Sequence, residues 1–392
     1  MVVVAATSAR MLAESARRGG MRPIALDLFA DEDTGRAAHC ISIGDPRGVG
    51  IDAGRVRDVL ARLARHPRVL GWVAGSGFED RLDMLQEGAD VLRLIGNDAG
   101  TIAAVKQPAT FFDLLDSCGI GHPETLATQP EDVAGWLMKR VGGTGGWHVR
   151  RLAGTRAPLH SSGAARSTGS ASSTGAARDY YQREVEGIAM SVLFLANRAD
   201  VCIIGFNRLL VTALGARPFV FQGALGPVHL LPEVARSVRS AAARLARHLG
   251  LVGLNSMDFL VAGERISVIE INPRPSATMQ LHDRRAPSGL MQAHVRACMS
   301  GLLPPQAPSG VTSVRGVQIV YANRDLLATS RTRQCLHQLG WCHDIGRAGT
   351  RTGSGEPLCS VSAEAGSEAE VVDQLAQRAD HVQQLLEADD DT

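Results

Sequence analysis

The chain has 392 residues, 45% hydrophobic and 21% charged, with 41 basic against 40 acidic side chains. That is enough apolar material for two or three domains, and a net charge of +1 excludes a polybasic nucleic-acid binder or an acidic disordered protein. With 4% aromatic residues it also lacks the stacking platforms of single-strand or sugar binders.

In chain order, Val2–Ala5 reads as a buried strand, Ser8 as the cap of a helix ending at Gly19-Gly20, and Pro23–Leu28 as a second strand. This βαβ opening predicts an open parallel sheet, with Val69–Ala74 and Val91–Ile95 as further strands of a first α/β domain over residues 1–96. Its first turn, Ala6-Thr7-Ser8-Ala9, lacks the GxGxxG fingerprint of dinucleotide binders. A second domain is expected over residues 97–302. It contains a helix over Pro108–Cys118 that Gly119 stops, and a strand at Trp136–Lys139 that runs into a glycine loop. Residues 153–177 are almost all Gly, Ala, Ser, Thr and Arg with no apolar period, which predicts a disordered insertion. Tyr180–Val185, Ser191–Ala196 and Val201–Phe206 read as adjacent strands. Pro232 opens a helix with Val234, Val238, Ala241, Leu245 and Leu249 on its apolar face, and with Arg236, Arg239, Arg244 and Arg247 on a solvated one. Met257–Val261 and Arg265–Ile271 form a hairpin pattern. A Pro-rich break at Leu303–Pro308 leads to a strand-rich unit over residues 309–392. It closes on a helix with a Ser367/Glu370 capping box and a stripe of Val371, Leu375, Val382 and Leu386.

Three stretches carry chemistry. On the hairpin, Asp258 sits on one strand while Glu270 and Asn272 share a face of the other, a hard-oxygen set suited to Mg²⁺ and phosphate oxygens. Pro273 and Pro275 hold Arg274 extended, where a planar guanidinium can clamp phosphate or carboxylate. Lys139 ends a strand ahead of Gly142-Gly143-Thr144-Gly145-Gly146, so an ammonium and bare backbone N–H groups can meet phosphates together, although the order is not that of a Walker A loop. Lys106 precedes the Pro108 helix, whose N-terminus favours anions. His148, beside the glycine loop, reads as an exposed loop histidine, and the scattered Cys335, His337, Cys342 and His343 fit no closed zinc spacing. Only Lys106 and Lys139 among the basic residues are lysine, so they stand out from an arginine bias that a GC-rich coding sequence explains.

This ordered set resembles the ATP-grasp enzymes: α+β proteins with an ATP-grasp fold, a Rossmann-like α/β domain preceding it and a strand-rich unit at the C-terminal end. The stretches Gly-Gly-Trp-His-Val-Arg-Arg, Tyr-Tyr-Gln-Arg and Asn-Pro-Arg-Pro-Ser-Ala-Thr are most similar to the members associated with tetrahydromethanopterin and methanofuran cofactors, the tyramine–glutamate ligase relatives. The resemblance implies that Lys106 and Lys139 contact ATP phosphates under a closing Gly142–Gly146 loop. It further implies that Gln182, Arg183, Glu184 and Val185 form the adenine hinge, and that Asp258, Glu270 and Asn272 bind Mg²⁺. Arg274 would steady the transferred phosphoryl group or the substrate carboxylate, and with Lys139 it would be catalytic by neutralising charge. Ala189 stands where many members place a ribose-binding Glu. The implied activity is an ADP-forming ligation of a small-molecule carboxylate to an amine. The competing readings are a biotin-carboxylase-like enzyme that activates bicarbonate, which the tail around Asp344 and Gly355-Glu356-Pro357-Leu358 resembles, and an ATP-binding scaffold without turnover.

The longest strongly apolar run, Met190–Ala196, is too short for a membrane span, and the first residues lack a basic signal-peptide region. Seven scattered cysteines without CxxC spacing read as reduced thiols. A cytoplasmic protein with neither membrane nor nucleic-acid partner is expected, and dimers are common in the family. Deleting residues 156–176 is expected to leave the calorimetric unfolding midpoint nearly unchanged, because closure entropy changes little with loop length.

Overall fold

Short runs of Val, Ala, Ile and Leu build a parallel sheet at the start of the chain, in a computed structural model that describes residues 1–45, 50–152, 179–305 and 313–390. The low-complexity stretch at 153–177 lies outside the described residues. The opening unit runs β1 (Val2–Ala6), α1 (Arg10–Arg18), β2 (Pro23–Asp27), α2 (Glu32–Ala37), β3 (His39–Ser42), α3 (Ala53–Ala64), β4 (Trp72–Ala74) and α4 (Leu82–Val91). Its strands lie in the order β3-β2-β1-β4, with β1 parallel to both neighbours. β1 and β2 are buried at every position, which is why they are continuous apolar runs and not alternating ones.

Two expectations fail here. Val91–Ile95 is no strand: α4 runs to Val91, and the residues after it make one parallel bridge, Leu94 to Trp72. The helix wins because Gly88 lets α4 lie against the Trp72 ring, where a Cβ would come within 2.6 Å. Ser8 does not cap α1 either. Ala9 holds that position and its N–H donates to Asp27 Oδ2 at 2.8 Å, while Ser8 Oγ donates to Asp344 Oδ1 at 2.9 Å. The helix end is satisfied by tertiary partners that no local pattern announces.

Two helices, α5 (Ala99–Lys106) and α6 (Pro108–Ser117), lead into a small antiparallel sheet of β5 (Thr125–Leu126), β6 (Trp136–Arg140), β7 (Arg150–Arg151) and β8 (Asp179–Arg183), ordered β5-β8-β6-β7. Lys106 therefore ends a helix, capped at its start by Asp98, instead of merely preceding one. β8 pairs with β6, placing Tyr180 opposite Lys139, so the Tyr180–Val185 stretch is not a neighbour of the strands that follow it. Its partner is the lysine strand because Glu184–Gly187 carries the chain from one sheet to the next without pairing as a strand.

The remainder builds an eight-stranded sheet from β9 (Ile188–Asn197), β10 (Val201–Leu214), β11 (Arg217–Gly226), α7 (Pro232–Leu249), β12 (Val252–Ala262), β13 (Arg265–Asn272), α8 (Met279–His282), α9 (Gly289–Ser300), β14 (Val314–Tyr321), β15 (Leu326–Leu327), α10 (Ser330–Gln338), β16 (Cys342–His343), β17 (Arg351–Thr352), β18 (Pro357–Ala365) and α11 (Glu368–Asp390). The order is β13-β12-β9-β10-β11-β14-β18-β16, with β15 and β17 forming a separate ribbon. β14 pairs with β11, so strands from the last segment extend the sheet of the one before it. β9 shows the layering. Val192, Phe194 and Ala196 face a core shared with α7 and α11, whereas Leu193 and Leu195 face one shared with α1 and α9. The arginines of α7 are exposed, as its pattern predicts. In the capping box of α11, Ser367 Oγ accepts from the Glu370 N–H at 3.3 Å and Glu370 Oε2 accepts from the Gly366 N–H at 3.1 Å. Among the described residues no helix is long and apolar enough to cross a membrane.

Asn97 ties the opening unit to the hairpin. Its Oδ1 accepts from the Val252 N–H at 2.8 Å, and its Nδ2 donates to Asn255 Oδ1 at 2.8 Å and to the Pro273 carbonyl at 2.9 Å. Asn97→Ala orphans these buried groups and is expected to lower stability by about 1–3 kcal/mol, read as a lower urea midpoint.

Candidate functional site

The β12–β13 hairpin places Asp258 directly opposite Glu270 and Ser256 opposite Asn272. The register shifts just after Asp258, a bulge of the kind that re-aims side chains beside functional sites. Asn272 Nδ2 donates to Asp258 Oδ2 at 3.2 Å, and Lys106 Nζ lies 3.2 Å from Glu270 Oε2. Burial and the Glu270 charge push the Asp258 carboxyl up to about 7. Burial pushes Glu270 in the same direction, but Lys106, with His148 and Lys139, outweighs it and holds that carboxyl below the usual range. Positive charge therefore compensates the Glu270 side of the pair and leaves the Asp258 side short.

Lys139, on β6, is 8% exposed, and its Nζ donates to Gln182 Oε1 at 2.5 Å. Burial pushes this ammonium down to about 8 against the pull of Glu270. It is a cation held by an amide oxygen, with no carboxylate bonded to it. Gln182 in turn donates from Nε2 to Thr125 Oγ1 at 3.1 Å, which fixes its orientation.

The glycine loop following Lys139 docks on β11 through the Phe221 N–H, which donates to the Gly145 carbonyl at 2.9 Å. A Cβ at Gly146, where φ is +74°, would lie 1.8 Å from the Phe219 carbonyl oxygen, and one at Gly143 would lie 2.1 Å from the His148 ring. Only glycine fits either position. His148 is half-buried and not exposed as its loop position suggests. Burial pushes it down to about 4 against a backbone contact with Thr144.

Arg274 meets a residue the sequence reading missed. Its Nε donates to Glu79 Oε1, while Glu79 Oε2 accepts from the N–H groups of Gly77 at 2.9 Å and Phe78 at 3.2 Å. Burial pushes the Glu79 carboxyl up, but Arg274 and Lys106 prevail and hold it low. The available signal was Gly75-Ser-Gly-Phe-Glu79 at the C-terminal end of β4, the edge where parallel sheets present ligand-binding loops.

Thus Lys106, Lys139, Asp258, Glu270, Asn272 and Arg274 converge, with Gly142–Gly146 alongside through His148. The four hinge residues divide. Gln182 belongs to the cluster through Lys139, but Arg183 lies over the Trp136 ring at 4.5 Å and Glu184 pairs with Arg151 at 2.6 Å. The backbone N–H groups of Arg183 and Glu184 are already bonded to the Glu124 and Gly135 carbonyls, leaving Val185 as the open end of that segment.

This architecture is the ATP-grasp fold, and residues 111–278 match the ATP-grasp domain family. The carbamoyl phosphate synthase large chain of Thermus thermophilus is 28% identical over 232 residues, which cover 57% of this chain and 22% of that one. The chain thus spans about a fifth of the length of the curated relatives it matches. The L-amino acid ligase from Bacillus licheniformis superposes with a TM-score of 0.68 at 14% identity, covering 97% of both chains. The biotin carboxylase domain of the Hydrogenobacter thermophilus 2-oxoglutarate carboxylase, a dimer determined with MgADP, ADP and bicarbonate, superposes at 0.67 with 12% identity, covering 95% of this chain and 88% of that one.

Glu79→Ala would strand the Arg274 guanidinium, whose side chain is 13% exposed. It is expected to lower stability by about 3–5 kcal/mol in urea unfolding, and Glu79→Gln, which keeps an acceptor oxygen, by less.

Proposed function

We propose that this protein is an ATP- and Mg²⁺-dependent ligase that joins a carboxylate to an amine through an acyl phosphate. The observation that carries this reading is the convergence of Lys106, Lys139 and the Asp258/Glu270 pair on one buried patch beside a glycine loop. The donor set fits a hard divalent cation: two facing carboxylates and the Asn272 amide oxygen, with one carboxylate lifted to about 7 by burial and by the facing Glu270 charge. Mg²⁺ held by Asp258, Glu270 and Asn272 would neutralise charge on the polyphosphate.

The chain's own residues would do the rest by position and charge. Lys139, whose one hydrogen-bond partner among the described residues is an amide, takes phosphate oxygens as its anionic partner, and Lys106 supplies a second ammonium from the end of α5. The Gly142–Gly146 loop covers the phosphates and keeps out water. The Val185 end of the hinge offers free backbone to adenine. Arg274, oriented by Glu79, steadies the transferred phosphoryl group or the substrate carboxylate. A carboxylate oxygen attacks the γ-phosphorus and ADP leaves. The amine nitrogen then attacks the acyl carbon, phosphate leaves, and the amine's proton passes to the medium. No protein nucleophile takes part, so alignment supplies most of the acceleration.

The motifs around Trp147, Tyr181 and Arg274 support the finer assignment, a ligase of one-carbon-carrier cofactor biosynthesis acting on glutamate and an aromatic or pterin-type amine. Seven free cysteines support a cytoplasmic setting, and the dimeric carboxylase neighbour supports a homodimer. A second reading, activation of bicarbonate, draws on that same neighbour.

Substrate-stimulated ADP formation across acids and amines tests the proposal. Release of ADP with incorporation of the amine is the expected result, whereas bicarbonate-dependent release without an amine would shift the assignment to a carboxylase. Binding of ATP with no turnover on any pair would refute the ligase. Lys139→Ala and Glu270→Gln, the latter keeping an acceptor oxygen for Lys106, are each expected to lower turnover by at least about 10²-fold with little change in thermal unfolding.

A further inference from the structure

A cavity of about 310 Å³ lies between α1, the turn after α8, and strands β14 and β18. It shares no lining residue with the nucleotide cluster and is large enough for a metabolite-sized ligand. Five arginines line it: Arg10, Arg18, Arg284, Arg315 and Arg378. Three carboxylates stand against them, Glu14, Asp283 and Glu364.

With Asp33 and Asp344 beneath the wall, carboxylates match the arginines in number but not in place: Arg10 gathers three of them, and Arg284 and Arg378 have none among the described residues. Arg10 is held by Asp344 behind the wall, at 2.9 Å from Nε to Oδ1, with Asp33 Oδ2 at 3.4 Å and Glu14 Oε2 at 3.5 Å as well, Arg18 bonds Asp283, and Arg315 Nε lies 3.3 Å from Glu364 Oε2. Asp283 is also bonded by Ser15 Oγ and the Leu290 N–H, both at 2.6 Å, so its charge is largely spent inside the fold. Arg378 donates to the Ser362 carbonyl and stacks over Trp341, with no carboxylate among the described residues. Arg284 makes no hydrogen bond or ion pair among the described residues. His343, the remaining titratable wall group, is pushed down to about 4 by burial and by Arg10, and adds no charge at neutral pH. Burial, and to a lesser degree the neighbouring Arg284 charge, lower both Arg18 and Arg315 against the pull of Glu14 and Glu364.

We infer that this cavity is a second binding site, for a compact anion carrying two or more negative charges on phosphate or carboxylate oxygens. Planar guanidiniums contributed by several walls suit the bidentate recognition of such groups. Because the walls come from the opening unit, the segment after Arg274 and the last two long strands, an occupant would brace these parts against one another. That makes the site suited to an effector or to the remote anionic end of a substrate.

Titration calorimetry in metal-free buffer tests this, with inorganic pyrophosphate and citrate as separate probes so that phosphate and carboxylate ligands are distinguished. Saturable binding of at least one probe is expected for the wild type and for Lys139→Ala, which disables the nucleotide cluster. Affinity should fall about tenfold or more in Arg284→Glu and in Arg315→Ala, the value of losing one charge-assisted contact. Arg284 is exposed, so its variant folds even if the half-buried Arg315 variant does not. Binding that vanishes in Lys139→Ala and survives in Arg284→Glu would place the anion in the nucleotide cluster and overturn the inference. So would the absence of saturable binding by either probe at millimolar concentrations.

Discussion

Two carboxylates facing each other across an antiparallel hairpin set the terms for the rest of this structure. Asp258 and Glu270 are opposite residues on neighbouring strands, and like charges so placed repel and are destabilising. Half-buried, they must be compensated by cations from elsewhere or share a proton. The fold supplies Lys106 from the end of α5 and Lys139 from β6 in a different sheet, and both bear on Glu270. Asp258 bonds the Asn272 amide, and the weaker pulls of Ser191, Lys106 and Arg274 do not overcome burial and the Glu270 charge, so it remains raised. That asymmetry leaves Asp258 as the carboxylate of the pair that a further positive charge would favour.

Holding the hairpin against the opening sheet falls to polar contacts. Asn97 bonds Val252, Asn255 and Pro273, and the Glu79 carboxylate bonds Arg274 two residues beyond the hairpin. Both are buried, and both lie about a hundred and fifty or more positions from their partners. Each leaves an expensive orphan if removed, so they fix geometry as much as they add stability. The Arg274 guanidinium arrives already oriented by Glu79, and the order that fixes it is provided by folding instead of by substrate binding.

What was legible in the sequence follows from the range of the interaction. The hairpin, the opposition of Asp258 and Glu270, the α7 stripe and the α11 capping box are set by spacings of two, three or four residues, and periodicity reveals them. Ser8, Val91–Ile95 and Glu79 were misread or missed because contacts from distant parts of the chain decide them: Asp344 takes the Ser8 hydroxyl, Trp72 takes the α4 surface, and Arg274 takes the Glu79 carboxylate. His148 was misplaced for the same reason, since a loop histidine becomes half-buried only when the loop docks on β11. The pairing of β8 with β6 is a choice between two sheets, and local propensity is the same for both.

The two lysines show how composition and geometry meet. In a chain whose other basic residues are all arginine, a position that tolerated a guanidinium would be expected to carry one. Lys139 is 8% exposed and reaches a single amide oxygen at 2.5 Å, with its strand partner Tyr180 beside it. An arginine there would bring a planar fork with five donors into a space where one acceptor is in reach, stranding the rest. An ammonium has three donors, one bonded to Gln182 and the others without a partner among the described residues. Its protonation is adjustable as well. Burial leaves Lys139 near 8, close enough to neutrality that an arriving anion strengthens its charge, whereas a guanidinium is charged whether or not a ligand is present. The lysine can therefore respond to what binds, and the arginines, five of which line the separate cavity beside α1, cannot.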